Sequence, residues 1–235
     1  MSPYDLRAVI LAGGLGTRLG DLAQGLPKAM VPVDGRPFLE YGIAQLANQG
    51  FRDILLLVGY RAEAIETHFG DGAAWGVHIR YSREQVPMGT GGAVGQARDL
   101  ISGRFLLLYG DLYRPYDYSA FLTRRKGNVL AVYPYVPGLT TIGCANVGLD
   151  PATGRVRQYL KNAPGAGLTH VDAGFGAFGR EVVELLPHGA CSFEEAVYPA
   201  LAGKGQLEAE LVDRHFLDIG NPADLAHARS HPPTP

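Results

Sequence analysis

Short runs of consecutive hydrophobic residues recur along the chain, without the alternation of a sheet that has one solvent-facing side. Four such runs are Ala8–Leu11, Ile54–Val58, Phe105–Tyr109 and Val129–Tyr133. Strands that are buried on both faces have this pattern, and they occur in parallel sheets covered by helices. The pattern therefore predicts that these runs are buried strands of a parallel sheet.

Between these strands, apolar residues recur at helical spacing. The clearest case is Phe38–Gln49, where Gly50 follows as a stop signal. Two further helices are predicted over Ala62–Phe69 and Gly92–Ile101. Because strands and helices alternate in α/β proteins, we expect an open, mostly parallel, Rossmann-like sheet that is flanked by helices.

The pattern changes after about residue 135, where glycine-rich strands are predicted over Thr141–Gly148 and Val171–Phe178. These strands indicate a smaller lobe built onto the same sheet. No linker marks its boundary, so residues 1–229 are expected to form a single domain. The expected divisions of the chain are residues 1–135, residues 136–229 and a proline-rich, disordered tail over residues 230–235.

Composition excludes several classes of partner. The formal net charge is −2, so no basic field attracts nucleic acid or an anionic membrane, and any phosphate site must be local. Two cysteines are too few for a disulfide framework, and the apolar run at residues 8–12 is too short for a signal peptide or a membrane span. We expect a cytosolic protein. A homo-oligomer is compatible with the sequence, which leaves the oligomeric state open.

The run L-A-G-G-L-G-T-R-L begins with the end of the first predicted strand, and the dipeptide P-K follows it. Glycines lack Cβ atoms, so the backbone N–H groups of this loop can converge on phosphate oxygens. The guanidinium of Arg18 can bind phosphate in a fork, and Lys28 can add a point charge. The alternative is a glycine-rich turn without a ligand, but such a turn has no need of T-R-L and a later P-K.

Two familiar phosphate loops do not fit this run. A dinucleotide-binding loop requires G-x-G-x-x-G, and counting from Gly14 and Gly16 the third glycine falls on Leu19. Asp34 does lie about 20 residues after Gly14, as a dinucleotide fold would require, but V-D-G-R-P is better explained as a turn. The P-loop pattern G-x-x-x-x-G-K-[ST] is absent from the sequence. A dinucleotide oxidoreductase is therefore disfavoured.

The glycine loop and several later segments resemble the sugar-1-phosphate nucleotidyltransferase family. These later segments are Pro32–Tyr41, Pro87–Ala93, Tyr109–Asp111 and Phe216–Asp224. The G-T-G-G-A run and the F-x-D-I-G ending are most similar to the D-glycero-D-manno-heptose 1-phosphate guanylyltransferases. The resemblance implies transfer of a nucleoside monophosphate from an NTP to a sugar 1-phosphate, with Mg²⁺ as cofactor, pyrophosphate as by-product and an NDP-sugar as product.

The resemblance also implies that Asp111 and Asp218 ligate the metal ion. Asp111 follows a predicted buried strand, and the alternative is a turn residue after Gly110. Helix capping is the alternative role for Asp218, yet Asn221 and Pro222 already supply an N-cap and a first helical residue. If both aspartates end strands of one sheet, they should meet in one crevice and share one Mg²⁺.

On the acceptor side, Lys161 matches the lysine that the family uses for the sugar phosphate. Leu160 stands where the family often has glutamate, so Asp172 is a candidate to bind sugar hydroxyls, with Gly174 on the same strand. An exposed surface lysine is the alternative for Lys161. The family's acceptor residues are thus expected in the second half of the chain.

Glu84 precedes the P-M-G-T-G-G run and could accept both N–H donors on one edge of guanine. A solvated loop carboxylate is the alternative for Glu84. Together with the resemblance to the heptose 1-phosphate guanylyltransferases, this makes GTP the expected NTP, and the resemblance implies a heptose 1-phosphate as the acceptor. A uridylyltransferase, a mannose-1-phosphate guanylyltransferase and a catalytically inactive nucleotide-sensing subunit remain alternatives.

The full set of expected nucleotide-binding residues is Leu11, Ala12, Gly13, Gly14, Gly16, Thr17, Glu84, Gly89 and Thr90, with Arg18 and Lys28 as catalytic residues.

Overall fold

A computed structural model of the chain describes residues 7–23, 25–137, 144–161, 165 and 167–233. Its strands are β1 (Arg7–Leu11), β2 (Pro32–Val33), β3 (Arg36–Pro37), β4 (Asp53–Val58), β5 (His78–Arg83), β6 (Phe105–Tyr109), β7 (Leu112–Tyr113), β8 (Asn128–Pro134), β9 (Val147–Leu149), β10 (Val156–Tyr159), β11 (His170–Phe178), β12 (Leu207–Leu211) and β13 (Leu217–Asp218). Its α-helices are α1 (Phe38–Asn48), α2 (Ala62–Phe69), α3 (Gly89–Gln96), α4 (Tyr118–Arg124), α5 (Phe193–Gly203) and α6 (Pro222–Ser230). Short 3-10 helices lie at Thr17–Ala23, Lys28–Met30, Ala73–Trp75 and Arg180–Leu185.

Two compact units share the chain. Unit 1 comprises residues 1–87, 106–124 and 215–235, and unit 2 comprises residues 88–105 and 125–214. The chain therefore passes between the units more than once, and unit 1 includes the C-terminal segment. These units differ from the predicted parts 1–135 and 136–229, and the functional division between those parts stays a prediction.

Unit 1 is built on a parallel sheet with strand order β6-β1-β4-β5. Its central strands are buried along nearly their whole length, as continuous apolar runs require. Helix α2 packs against β5, and the short ribbons β2-β3 and β7-β13 are antiparallel. A separate apolar cluster includes Val33, Phe38, Tyr113 and Ile219. The predicted α/β class, with a mostly parallel sheet and flanking helices, is confirmed.

Unit 2 is mainly antiparallel. Strand β8 pairs in parallel with β12 and antiparallel with β11, and β9 pairs antiparallel with β10 and β11. Helix α5 packs on β10, and the ring centroids of Phe178, Phe193 and Tyr198 lie within 6 Å of one another. The run Val129–Tyr133 is thus a buried strand as predicted, but its two neighbours among the described strands are β12, which is parallel, and β11, which is antiparallel.

Several predicted boundaries are wrong. Helix α3 covers Gly89–Gln96 rather than Gly92–Ile101, because Gly89 with φ +70° starts it and turns replace it after Gln96. Only Val147–Leu149 forms a strand near the predicted Thr141–Gly148, of which residues 141–143 lie outside the described residues.

The C-terminal tail also differs from its prediction. Ser230 is the last residue of α6 rather than the first residue of a disordered tail. Residues 231–233 have no regular structure, and residues 234–235 lie outside the described residues. Among the described residues, no helix has the length and apolar character of a membrane span. The cytosolic location stays a prediction.

Candidate functional site

The glycine loop lies at the carboxyl end of β1, as the sequence predicts. Its first residue, Ala12, donates its N–H to Leu57 O at 2.8 Å, and Gly13 follows directly. Gly16 has a φ of +67°, and a Cβ added there would lie 3.3 Å from the Cβ of Lys28. The loop therefore passes close to Lys28, while Arg18 extends from an exposed position beyond it.

Lys28 lies between the two predicted metal ligands. Its side chain is nearly buried, and its ammonium pairs with Asp111 and lies 4.0 Å from Asp218 Oδ1. The structure places its ammonium on these carboxylates, at the start of a short 3-10 helix. The expected role of Lys28 as a point charge for phosphate stays a prediction.

Asp111 and Asp218 meet, but by a route that differs from the prediction. Asp111 follows β6 and Gly110, whereas Asp218 ends β13, which pairs antiparallel with β7 and not with the parallel sheet. Asp218 lies opposite Leu112, and Ile219 donates its N–H to Asp111 O at 3.2 Å. The two aspartates therefore converge because a two-residue ribbon joins their segments.

Burial and repulsion both act on the carboxyl group of Asp218. Its pKa is raised to about 6, first by burial and then by the charge of Asp111, although Lys28 acts in the opposite direction. Its buried Oδ1 accepts no hydrogen bond from any described residue. Two carboxylates around one ammonium leave a net negative charge, so the cluster suits an additional cation.

Capping of α6 does not involve Asp218. The side chain of Asn221 accepts a hydrogen bond from Asp224 N at 3.0 Å, and Pro222 is the first residue of the helix, as predicted. A Cβ added at Gly220 would lie 2.8 Å from Asp218 Oδ1. The glycine of D-I-G therefore leaves space for the carboxylate.

Glu84 lies next to the glycine loop, just after β5. Its N–H donates to Val58 O at 2.9 Å. A Cβ added at Gly13 would lie 3.0 Å from the Glu84 carboxylate, and one added at Gly59 would lie 2.6 Å from it. Two glycines thus make room for this carboxylate at the carboxyl end of the sheet, where α/β folds bind ligands.

In unit 2, Lys161 lies just after β10 and is held by side chains that precede and begin α5. Its ammonium donates to Ser192 Oγ and to Glu194 Oε2, both at 3.0 Å. Its side chain is one-third exposed, at 33%. Lys161 is therefore a fixed lysine and not a freely solvated one.

Glu194 is a buried charged residue that our sequence analysis missed. It is 4% exposed, and it accepts a hydrogen bond from Thr90 Oγ1 at 2.8 Å. The run S-F-E-E indicates the start of a helix, because Ser192 and Glu195 occupy the first and last positions of a capping-box pattern. Ser192 does cap α5 by accepting from Glu195 N, so Glu194 has no capping role.

The G-T-G-G run packs closely on the segment that leads into α5. Gly91 and Gly92 donate their N–H groups to Cys191 O, and a Cβ added at Gly89 would lie 2.6 Å from that oxygen. Thr90 Oγ1 accepts from Phe193 N at 2.9 Å. The expected contact of Gly89 and Thr90 with the nucleotide stays a prediction, whereas their docking on this segment is a structural fact.

Asp172 lies at an irregularity in β11. Its Oδ1 accepts from Gly174 N at 2.9 Å, and its own N–H donates to Asn146 Oδ1 at 2.9 Å. The register with β8 shifts between Asp172 and Gly176, and Gly174 has a φ of +77°. The carboxylates of Asp172 and Glu194 both help to raise the pKa of Tyr159 and Tyr198, although burial is the larger cause. Asp172 and Glu194 therefore act electrostatically on the same two tyrosines.

Comparison with known proteins identifies relatives along nearly the whole chain. The chain is 31% identical over 232 residues to the mannose-1-phosphate guanylyltransferase of Mycobacterium tuberculosis. This match covers 96% of this chain but 64% of that enzyme. It is 29% identical over 223 residues to the D-glycero-alpha-D-manno-heptose 1-phosphate guanylyltransferase of Campylobacter jejuni, covering 94% of this chain and 98% of that enzyme.

Solved structures share the fold. The crystal structure of HddC from Yersinia pseudotuberculosis complexed with GMP-PN has a TM-score of 0.79 and 28% identity, covering 96% of this chain and 99% of that chain. A putative glucose-1-phosphate thymidylyltransferase from Bacillus anthracis has a TM-score of 0.83, covers 96% and 94% of the two chains, and is 18% identical, which supports the fold alone. The nucleotidyl transferase family profile matches residues 7–232. As the resemblance predicted, the chain belongs to the nucleotidyl transferase family.

Proposed function

We propose that this chain transfers GMP from GTP to a heptose 1-phosphate, releasing pyrophosphate and forming a GDP-sugar. The observation that carries the proposal is the cluster of Lys28, Asp111 and Asp218 beside the glycine loop of a nucleotidyl transferase chain. A catalytically inactive nucleotide-sensing subunit is disfavoured, because Arg18 and these three residues are all present.

Asp111 and Asp218 fit a magnesium ion, and in our proposal they hold one. Carboxylate oxygens are the ligands that Mg²⁺ prefers, and the buried Oδ1 of Asp218 accepts no hydrogen bond within the described residues. In that part of the chain no group of three or more histidine, cysteine, aspartate or glutamate side chains could hold a metal. Phosphate oxygens and water would therefore complete the coordination. The bound ion would supply charge neutralisation at the α-phosphate.

The remaining chemistry is positioning and charge balance. The attacking group is an oxygen of the sugar phosphate, which is largely ionised at pH 7 and needs no general base. Two polyanions must approach each other, so the cations Arg18, Lys28 and Lys161 lower the barrier by reducing their repulsion. In this scheme Arg18 binds the triphosphate and Lys161 binds the acceptor phosphate.

The relatives support a heptose acceptor, because one of them is the Campylobacter heptose 1-phosphate guanylyltransferase, which is 29% identical to this chain over 223 residues. A mannose-1-phosphate guanylyltransferase is the second candidate, because the mycobacterial mannose enzyme is 31% identical over 232 residues. The two acceptors differ in a substituent on the sugar, which Asp172 is suited to contact in our proposal.

Glu84 supports guanine as the base. Its carboxylate lies beside Gly13 and Gly59 at the edge where we propose that the nucleotide binds. One carboxylate can accept both N–H donors on the guanine edge, and uracil offers no such pair. Glu84→Gln should therefore raise the KM for GTP more than the KM for the sugar phosphate, without changing the melting temperature.

A matrix of substrates tests the proposal. The purified chain is incubated with each of GTP, ATP, CTP, UTP and dTTP, combined with D-glycero-D-manno-heptose 1-phosphate or mannose 1-phosphate, and pyrophosphate release is measured. We expect the highest kcat/KM for GTP with the heptose phosphate. A higher value for GTP with mannose 1-phosphate would support the second candidate. A preference for UTP or dTTP would refute the guanylyltransferase proposal, and no release from any pair would refute a catalytic role.

A further inference from the structure

The carboxylate of Glu194 is a junction between two segments of unit 2. A single oxygen, Oε2, accepts hydrogen bonds from Lys161 Nζ at 3.0 Å, Thr90 Oγ1 at 2.8 Å and Ser192 Oγ at 2.5 Å. The Glu194 side chain is 5% exposed, whereas that of Lys161 is 33% exposed. One buried charge thus joins the G-T-G-G run to a lysine that reaches solvent.

Three donors on one buried carboxylate form a rigid arrangement. A buried carboxylate requires partners, and charge-assisted hydrogen bonds are about twice as strong as neutral ones. Ser192 strengthens the arrangement, because its hydroxyl accepts from Lys161 while donating to Glu194. The lysine cannot leave this position without breaking two hydrogen bonds.

The ammonium of Lys161 retains bonding capacity. It has three N–H donors, and Ser192 and Glu194 take two of them within the described residues. The third can bind an anion while the other two hold the direction of the side chain. Preorganisation of this kind improves affinity because less freedom is lost on binding.

We propose that Glu194 is a positioning residue, which fixes Lys161 for the phosphate of the sugar acceptor and links it to Thr90. This inference rests on the proposed function, in which Lys161 binds that phosphate. In this role Glu194 acts through Lys161 and not by contact with the substrate. Its effect should therefore appear in the binding of the acceptor and not in the binding of GTP.

A competing role for Glu194 makes the opposite prediction. If the carboxylate only neutralised Lys161, its removal would leave a stronger positive field and tighter binding of phosphate. Glu194→Asp separates the two roles, because it keeps the charge but shortens the side chain. Positioning requires that Glu194→Asp and Glu194→Gln both weaken acceptor binding, whereas neutralisation requires that Glu194→Asp behave as wild type.

The kinetic experiment compares Glu194→Gln and Glu194→Asp with Glu195→Gln as the matched control. Glu195 is the next residue on α5, but it is exposed and its carboxylate makes no hydrogen bond among the described contacts. We expect the KM for D-glycero-D-manno-heptose 1-phosphate to rise about tenfold or more in both Glu194 variants, with the KM for GTP nearly unchanged. An unchanged or lower acceptor KM in Glu194→Gln would overturn the inference.

A second measurement needs no substrate and no activity. The rate at which an acetylating reagent modifies Lys161 is followed by mass spectrometry, with the other lysines as internal references. Release of the ammonium in Glu194→Gln should increase this rate severalfold over wild type and Glu195→Gln. An unchanged rate would overturn the inference even if the enzyme is active. An increased rate in a chain that releases no pyrophosphate would refute only the proposed function.

Thr90 provides an independent pair of variants if substitution of Glu194 prevents folding. Thr90→Val removes the hydroxyl at similar volume, and Thr90→Ser keeps it. We expect faster acetylation of Lys161 in Thr90→Val and the wild-type rate in Thr90→Ser, because only the former leaves Glu194 without this donor. Equal rates in the two variants would contradict the proposed link.

Discussion

At the scale of single residues, charge balance dominates the candidate site of unit 1. Asp111 and Asp218 share the ammonium of Lys28, and the charge of Asp111 disfavours the charged form of Asp218. Such an arrangement costs stability in the free protein and is suited to a bound cation. We therefore expect Asp111 and Asp218 to favour activity and to lower the stability of the free protein. Substitution of these residues can separate the two effects.

Asp111→Asn and Asp218→Asn should each reduce kcat by a factor of about 100 or more, because each removes a proposed metal ligand. In buffer with EDTA, Asp218→Asn should leave the melting temperature equal or higher, since it removes a buried charge that faces Asp111. Calorimetry and pyrophosphate release measure the two effects. The control is Asp99→Asn, an exposed aspartate outside the cluster. A marked loss of stability in Asp218→Asn would contradict this account.

Arg18 is an exposed residue of the glycine loop, so its charge should matter for turnover and little for folding. We expect Arg18→Ala to lower kcat/KM by a factor of about 100 or more, as expected for loss of a charge that stabilises the transferring phosphoryl group. Its melting temperature should match wild type. Arg36→Ala removes another exposed arginine, the first residue of β3, and should retain activity. Near-normal pyrophosphate release from Arg18→Ala would refute the role of the loop.

At the scale of elements, glycines differ according to what surrounds them. Gly42 lies inside α1, and a Cβ added there would meet no atom within 4 Å. Gly89 begins α3 with a φ of +70°, and its added Cβ would overlap Cys191 O. The first glycine is therefore replaceable, and the second is required by the backbone.

Gly42→Ala should raise the free energy of unfolding by about 0.5–1 kcal/mol, because alanine restricts the unfolded chain and fits the helix. Gly89→Ala should lower it, because φ is positive and the methyl group has no space. Urea denaturation followed by circular dichroism measures both changes. A destabilised Gly42→Ala protein would show that the face of α1 around Gly42 is more crowded than the structure indicates.

At the scale of the whole molecule, substrate and metal should act together on stability. A ligand that binds only the folded chain raises the free energy of unfolding by about 2.7 kcal/mol at a hundredfold excess over its Kd. GTP with MgCl₂ should therefore raise the melting temperature clearly, and GTP with EDTA should raise it much less. Asp111→Asn should abolish the difference between the two conditions. An equal shift with and without Mg²⁺ in the wild type would count against a metal shared by enzyme and nucleotide.

Comparison of sequence and structure shows which elements are predictable. The buried strands at residues 8–11, 54–58 and 105–109 form where the apolar runs predicted them, because two-sided burial requires uninterrupted hydrophobicity. Helix α2 covers the predicted Ala62–Phe69, since local spacing and a final glycine define it. The predicted start of α3 is wrong, because contacts of Gly91 and Gly92 with Cys191, which is distant in sequence, help to decide where that helix begins.

Some features of the candidate site are likewise predictable from the sequence, and others are not. The sequence by itself determined the chemistry: a glycine loop with Arg18, two aspartates after apolar runs, and a lysine in the second half of the chain. These are local patterns, because backbone conformation and side-chain type at adjacent positions produce them. Only the tertiary structure decided which groups meet, including the pairing of Lys28 with Asp111 and the burial of Glu194 against Lys161. Such pairings join residues far apart in sequence, and the packing of strands and helices selects them.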